Sequence, residues 1–100
     1  MNARNNMRPI HPGEVLREEF LVPLEITPHA LAMQLRVTPS RINEIVRKER
    51  PVTIETALRL ARFFNTTPEF WMNLQQTYDL KTLPKPLLKE VKRDIKPLVA

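Results

Sequence analysis

The sequence contains no cysteine and one glycine. Without cysteine there is no disulfide framework, no thiol nucleophile and no cysteine-ligated zinc site, which suits a reducing compartment. A single glycine leaves no phosphate-cradling loop. No apolar run is long enough for a secretory leader or a membrane span, so a soluble cytoplasmic protein is expected, with no membrane partner. Apolar and polar residues nowhere alternate over a useful length, which argues against strands. Convergent reactive groups are missing as well. His11 and His29 lie far apart and lack an HExxH spacing. Ser40 is the sole serine and has no GxSxG around it. Glu18 and Glu19 are adjacent, so a helix points them about 100° apart, a poor acid/base pair. Neither catalysis, a metal nor a cofactor is expected.

What the sequence does have is proline and positive charge. Ten prolines punctuate 100 residues, and the formal net charge is +5. With 42% apolar residues, the chain can build one modest core. Most prolines stand where a helix should begin, a position at which the missing N–H costs little. Helix starts are expected at about Pro12, at Thr27-Pro28, at Thr38-Pro39, at Thr53 and in the TTPE stretch from Thr66 to Glu69. The first helix should end at Pro23. Helical spacing marks the inward positions: Leu16 and Phe20, then Leu31, Ala32 and Leu35, then Ile42, Ile45 and Val46. It continues with Ile54, Ala57, Leu58, Ala61 and Phe64, and with Phe70, Trp71, Leu74 and Tyr78. A short sixth helix fits the C-terminal stretch, with Leu87 or Leu88, Val91 and Ile95 inward. The fold class is therefore all-α, with five helices and room for one more. Residues 1–11, without an apolar period, read as a mobile segment.

Charge is segregated along the chain. Residues 36–50 hold five basic and two acidic side chains, and residues 81–100 hold six against two. Residues 13–25 reverse the balance, with Glu14, Glu18, Glu19 and Glu25 against one arginine. A basic stretch over two short helices suggests nucleic acid. Two helices joined by a short turn must pack at once, as in a helix-turn-helix, whose second helix enters the major groove. Here that helix begins at Pro39. Its outward residues are Ser40, Arg41, Asn43, Glu44, Arg47 and Lys48. Arginine can grip guanine with two hydrogen bonds, and asparagine can do so with adenine. Lys48 and Arg50 suit phosphates. The start of the preceding helix, with the Thr27 hydroxyl, also suits a phosphate.

Residues 31–53 resemble the helix-turn-helix of the phage-repressor (XRE-type) family. HPGEVLREEFL followed by ITPHALA resembles the opening of the HigA/VapI-type antitoxins within that family. ALRLARFFNTTPEFWMNLQQTYDL, with its FWMNLQ core, resembles their next two helices. The resemblance covers roughly residues 8–80. It implies a five-helix, lambda-repressor-like domain over residues 12–80, with the helix-turn-helix at about 28–48 and a basic tail over 81–100. It implies a homodimer that binds an inverted-repeat operator, represses its own operon and neutralises a RelE-like mRNA-cleaving toxin. Carried over position by position, Pro39 opens the recognition helix and Ser40, Arg41, Asn43 and Glu44 match its reading positions. Thr27, Gln34, Thr38, Arg47 and Lys48 match flanking DNA contacts, whereas Trp71 and Leu74 match core positions. Toxins of this kind are basic because they bind RNA, so the acidic first helix, with Glu14, Glu18 and Glu19, is the expected toxin contact. Two alternatives remain, a solitary XRE-type repressor with no toxin and an interaction module without DNA binding. Arg36 departs from the pattern, because it stands where repressor domains usually place glycine.

Overall fold

A computed structural model describes residues 8–99 of the chain, so most of the segment expected to be mobile lies outside the described residues. Every regular element among the described residues is helical. The first helix is continuous in three parts: α1 (Pro12–Val15), a π-helical stretch (Leu16–Leu21) and α2 (Val22–Leu24). Then follow α3 (Pro28–Leu35), α4 (Pro39–Val46), α5 (Ile54–Phe64), α6 (Pro68–Lys81) and α7 (Lys85–Asp94). The all-α architecture with a short extra C-terminal helix is as expected.

Threonine starts these helices. The hydroxyls of Thr27, Thr38, Thr53 and Thr67 each accept from the N–H three residues on, at Ala30, Arg41, Thr56 and Phe70. Each cap satisfies an otherwise orphaned donor and contributes about 1 kcal/mol. The helix ends are less ordinary. Glu25, Arg36, Lys48 and Asn65 all take left-handed backbone, with φ between 56° and 66°. At each, the next residue's N–H reaches back five residues to a carbonyl, as Val37 does to Ala32 at 3.1 Å. That is the Schellman closure, usually built on glycine. Here none of the four is glycine.

Leu16, Leu31, Ile42, Ile45, Leu60 and Trp71 are fully buried and join α1 to α6 in one core. Trp71 packs against Phe20, with ring centroids 5.2 Å apart, and its indole N–H donates to the Thr66 hydroxyl at 2.9 Å.

Four expectations need correction. Phe70, expected inward on α6, is exposed, and the inward face there is Trp71, half-buried Leu74 and Gln75. Pro23 does not end the first helix, which runs on to Leu24 and closes at Glu25. The turn before Pro23 is π-helical, with the Val22 N–H bonded to the Arg17 carbonyl. That wider turn makes room for a ring that would otherwise press on the carbonyl four residues back. In α5, Ile54 and Leu58 face solvent, and the inward stripe is Ala57, Leu60, Ala61 and half-buried Phe64. In α7, nothing is inward: Leu87, Leu88, Val91 and Ile95 are all exposed. The radius of gyration is 16.5 Å, against about 13 Å for a compact domain of this size. The molecule is elongated, 53 Å in its longest dimension.

Candidate nucleic-acid interface

The second helix of the motif, α4, is seated from three sides. Ile42 and Ile45 turn its apolar face into the core, both at 0% exposure. Against its C-terminal turn lies Gly13, in the first turn of α1. A methyl group added to Gly13 would come within 1.7 Å of the Ile45 carbonyl oxygen. The single glycine of the sequence therefore permits a close backbone approach rather than an unusual turn. The chain leaving α4 is held as well. Buried Gln75 of α6 accepts from the Val52 N–H at 2.7 Å and donates to Asp79 at 2.9 Å. On the α3 side, the Arg59 guanidinium donates to the last helical carbonyl of α3, at Leu35, over 2.8 Å. Three residues, Arg36 to Thr38, join α3 to α4.

Charged partners surround the exposed face. Arg41 lies 3.8 Å from Glu55, and Glu44 pairs with Arg50 at 2.7 Å. Arg47 reaches Glu49 at 3.3 Å. Lys48, on its left-handed backbone, lies 3.7 Å from Glu14, which also pairs with Arg8 at 2.7 Å. That second contact strengthens the hold of Arg8 on its proton. Exposed pairs of this kind contribute little to stability, so they orient the cations more than they bind them.

The residues named from sequence divide into two groups. Thr27, Gln34, Thr38, Ser40, Arg47 and Lys48 are solvent-exposed, and Pro39, Arg41 and Glu44 are partly so. Asn43 is turned back on its own helix, where its amide donates to the Pro39 carbonyl at 3.0 Å. In this arrangement its amide N–H is engaged before any base arrives. On the first helix, Glu18 and Glu19 are exposed, and Glu18 pairs with its neighbour Arg17. Glu14 differs: its side chain is only 11% exposed and faces Arg8 and Lys48.

His11 is ordered and buried, at 4% exposure. Its Nδ1 accepts from the Gly13 N–H at 2.9 Å and so caps the first helix. Its ring lies edge-on to Tyr78, centroids 4.8 Å apart. Burial, aided by the charge of Lys48 and opposed by Asp79, lowers its pKa. The sequence reading missed the bracing role of Gly13, Glu14, Arg59 and Gln75. A lone glycine inside a helical pattern was the available signal. So was Gln75, four residues after Trp71 on the buried face of α6.

A helix-turn-helix family model (HTH_3) matches residues 16–71. The chain belongs to this family. Its members are DNA-binding regulators and not enzymes. Virulence-associated protein I of Dichelobacter nodosus is 56% identical over 79 residues, which are 79% of this chain and 73% of that one. Antitoxin HigA-1 of Vibrio cholerae is 36% identical over 77 residues, 77% of this chain and 72% of its own. Among solved structures, Pseudomonas aeruginosa antitoxin HigA with the higBA promoter superposes with a TM-score of 0.87. It is 47% identical, over 92% of this chain and 100% of that one. These relatives bear out the antitoxin resemblance and the lambda-repressor-like fold. Among the described residues no helix is long and apolar enough to cross a membrane.

Proposed function

We propose that the chain is a repressor of the antitoxin type. As a twofold dimer it binds an inverted repeat, neutralises a basic mRNA-cleaving partner and represses the operon that encodes both. The observation that carries this reading is α4, a short helix followed by Arg47, Lys48 and Arg50 and seated against Gly13 at its Ile45 carbonyl, on a fold shared with HigA bound to its promoter. A reading helix must be held rigidly if its side chains are to discriminate bases. Two copies of α4 in successive major grooves stand about 34 Å apart, which sets the half-site spacing. Ser40, Arg41, Asn43 and Glu44 meet base edges. Thr27, Gln34, Thr38, Arg47 and Lys48 contact the flanks, and Pro39 positions the first turn. With one N–H of Asn43 on the Pro39 carbonyl, its second N–H and its Oδ1 are left to read a base. The exposed apolar face of α7 is the dimer surface, since an unpaired stripe of this kind on a standing helix is covered by another chain. The exposed carboxylates of Glu18 and Glu19 meet the basic partner, while Glu14 braces Lys48.

A mobility-shift titration against the DNA upstream of the gene tests the DNA half. Arg41→Ala should cost about 1–3 kcal/mol on the operator and relax preference at one base pair. Lys48→Ala should weaken all sequences alike and reduce the salt slope by about one. If both variants bind as the parent does, the assignment of α4 as the reading helix is wrong.

A further inference from the structure

An open groove of about 400 Å³ lies between the end of the first helix and the helix-turn-helix. Leu21, Val22 and Ile26 line one side, and Val46, in the last turn of α4, closes another. Arg17 and Glu25 stand at its rim. Leu21 belongs to the core, but Val22 is 59% exposed, an apolar side chain left in water beside an apolar depression.

The groove does not share the excess positive charge of the molecule. The whole chain carries +5, yet the charged residues that line the groove are Arg17 and Glu25, one of each sign. Arg17 is engaged by Glu18. Among the described residues no cation pairs with Glu19 or Glu25. The unpaired Glu25 carboxylate beside an apolar depression favours a ligand that is apolar at its tip and cationic at its flank.

We propose that this groove docks the basic protein partner. An apolar side chain of that partner sits against Val22, Ile26 and Val46, and a flanking lysine or arginine side chain pairs with Glu25. The proposal rests on the antitoxin reading and gives the partner a defined seat. Because Val46 belongs to α4, the seated partner also touches the last turn of the reading helix.

The test uses the full chain and the product of the small basic reading frame adjacent to its gene, mixed and followed by calorimetric titration. Val22→Lys should weaken the complex by at least about tenfold, because it places a like charge and a bulky head at the mouth of the groove. Its melting temperature should stay near the parent's, since the side chain is mostly in water. Glu25→Asn is a second probe: asparagine tolerates the left-handed backbone there, so the fold is kept while a carboxylate is lost. It should weaken the complex severalfold, and the loss should shrink as salt is raised. Leu58→Lys, an exposed apolar position on α5 outside the groove, should change affinity by less than about twofold.

If the parent binds the basic protein and both groove variants bind it equally well, the groove is wrong and the antitoxin reading stands. If the parent does not bind it at all, the antitoxin reading fails and the groove falls with it. If Val22→Lys instead converts the dimer to a monomer, the occupant is a second copy and the proposal is overturned. Equal weakening by Leu58→Lys would show that the contact is not confined to the groove, with the same consequence.

Discussion

Helices α4 and α7 are both short, amphipathic and have proline at their start or cap, yet their fates differ. α4 is capped by the Thr38 hydroxyl and buries Ile42 and Ile45 completely. α7 has no side-chain cap and buries nothing, although Leu87, Leu88 and Val91 fall at helical spacing. Helical periodicity identifies a face that seeks a partner. Whether that partner lies in the same chain depends on what else the fold supplies. For α4 it supplies Gly13, Val52 held by Gln75, and the rest of the core. For α7, which follows Pro84, the core is already complete at Trp71 and Leu60.

The largest effect should come from breaking the seat of α4. Gly13→Ala would normally favour a helix, yet here the methyl collides with the Ile45 carbonyl, a backbone atom that cannot rotate away. We expect a loss of about 3 kcal/mol and a fall in Tm of more than about 10 °C, read by thermal melting. Operator affinity should fall with it. If Gly13→Ala melts as the parent does, the close approach does not brace α4.

The corresponding change in α7 should act on association instead. Val91→Asp places a charge on the exposed stripe. Sedimentation should show the proposed dimer replaced by monomer at micromolar concentration. The intrinsic stability of the fold should change by less than about 0.5 kcal/mol, as for other surface positions. A dimer that survives would place the twofold surface elsewhere.

The same contrast explains how far the sequence could be read. Threonine caps and 3.6-residue spacing are local, so helix starts and the faces of α3 and α4 were legible, and that of α6 in part, with Trp71 inward but Phe70 exposed. Pro23 was misread because relief came from a π-turn, which depends on packing around the helix and leaves no local mark. Ile54 and Leu58 were misassigned because α5 meets its neighbours along a narrower stripe than its apolar residues span. For the interface, residue types and spacing located α4. They did not show that Asn43 bonds back to Pro39, that Glu14 serves Lys48, or that an apolar groove lies beside the acidic helix. Those depend on which elements meet in space, and Gly13 and Gln75 alone left a trace of that in the sequence.

A smaller effect should follow from pH, through the cap of the first helix against which α4 is seated. Folded His11 holds its proton less tightly than the unfolded residue because burial disfavours the cation. The unfolded chain therefore binds more protons below its own pKa of about 6.5. The stability tied to neutral His11 is fully present above that value. It declines as pH falls and is gone once pH has passed through the lowered folded pKa. Protonation also removes the Nδ1 acceptor of the Gly13 N–H and sets a cation near Lys48, with Tyr78 and Asp79 on the other side. Melting temperature should drop between pH 7.5 and 5. His11→Asn, which keeps a capping acceptor without titrating, should flatten that part of the curve. α7 has no comparable group, so the dimer should be insensitive over the same range.

The smallest effect concerns the turn that leads into α4. Arg36 holds φ at 62° and ψ at 41°, a conformation that costs a side chain about 1–2 kcal/mol and glycine almost nothing. Glycine also loses more backbone freedom on folding, by roughly 0.4–1 kcal/mol. The two terms oppose each other, and the first is slightly larger. Arg36→Gly should therefore raise stability by about 0.5 kcal/mol, measured as a shift in urea midpoint at constant slope. Arg36 is exposed, and its N–H bond to the Met33 carbonyl uses backbone alone, so no side-chain contact in the structure offsets the gain. Gly13→Ala and Arg36→Gly thus ask opposite questions of one motif. The glycine this chain has should be indispensable where two backbones touch, and the glycine it lacks should be worth little where a turn merely bends. A strongly destabilised Arg36→Gly would mean that the guanidinium braces α4 in solution. The left-handed turn would then be held by a side chain as well as by its backbone closure.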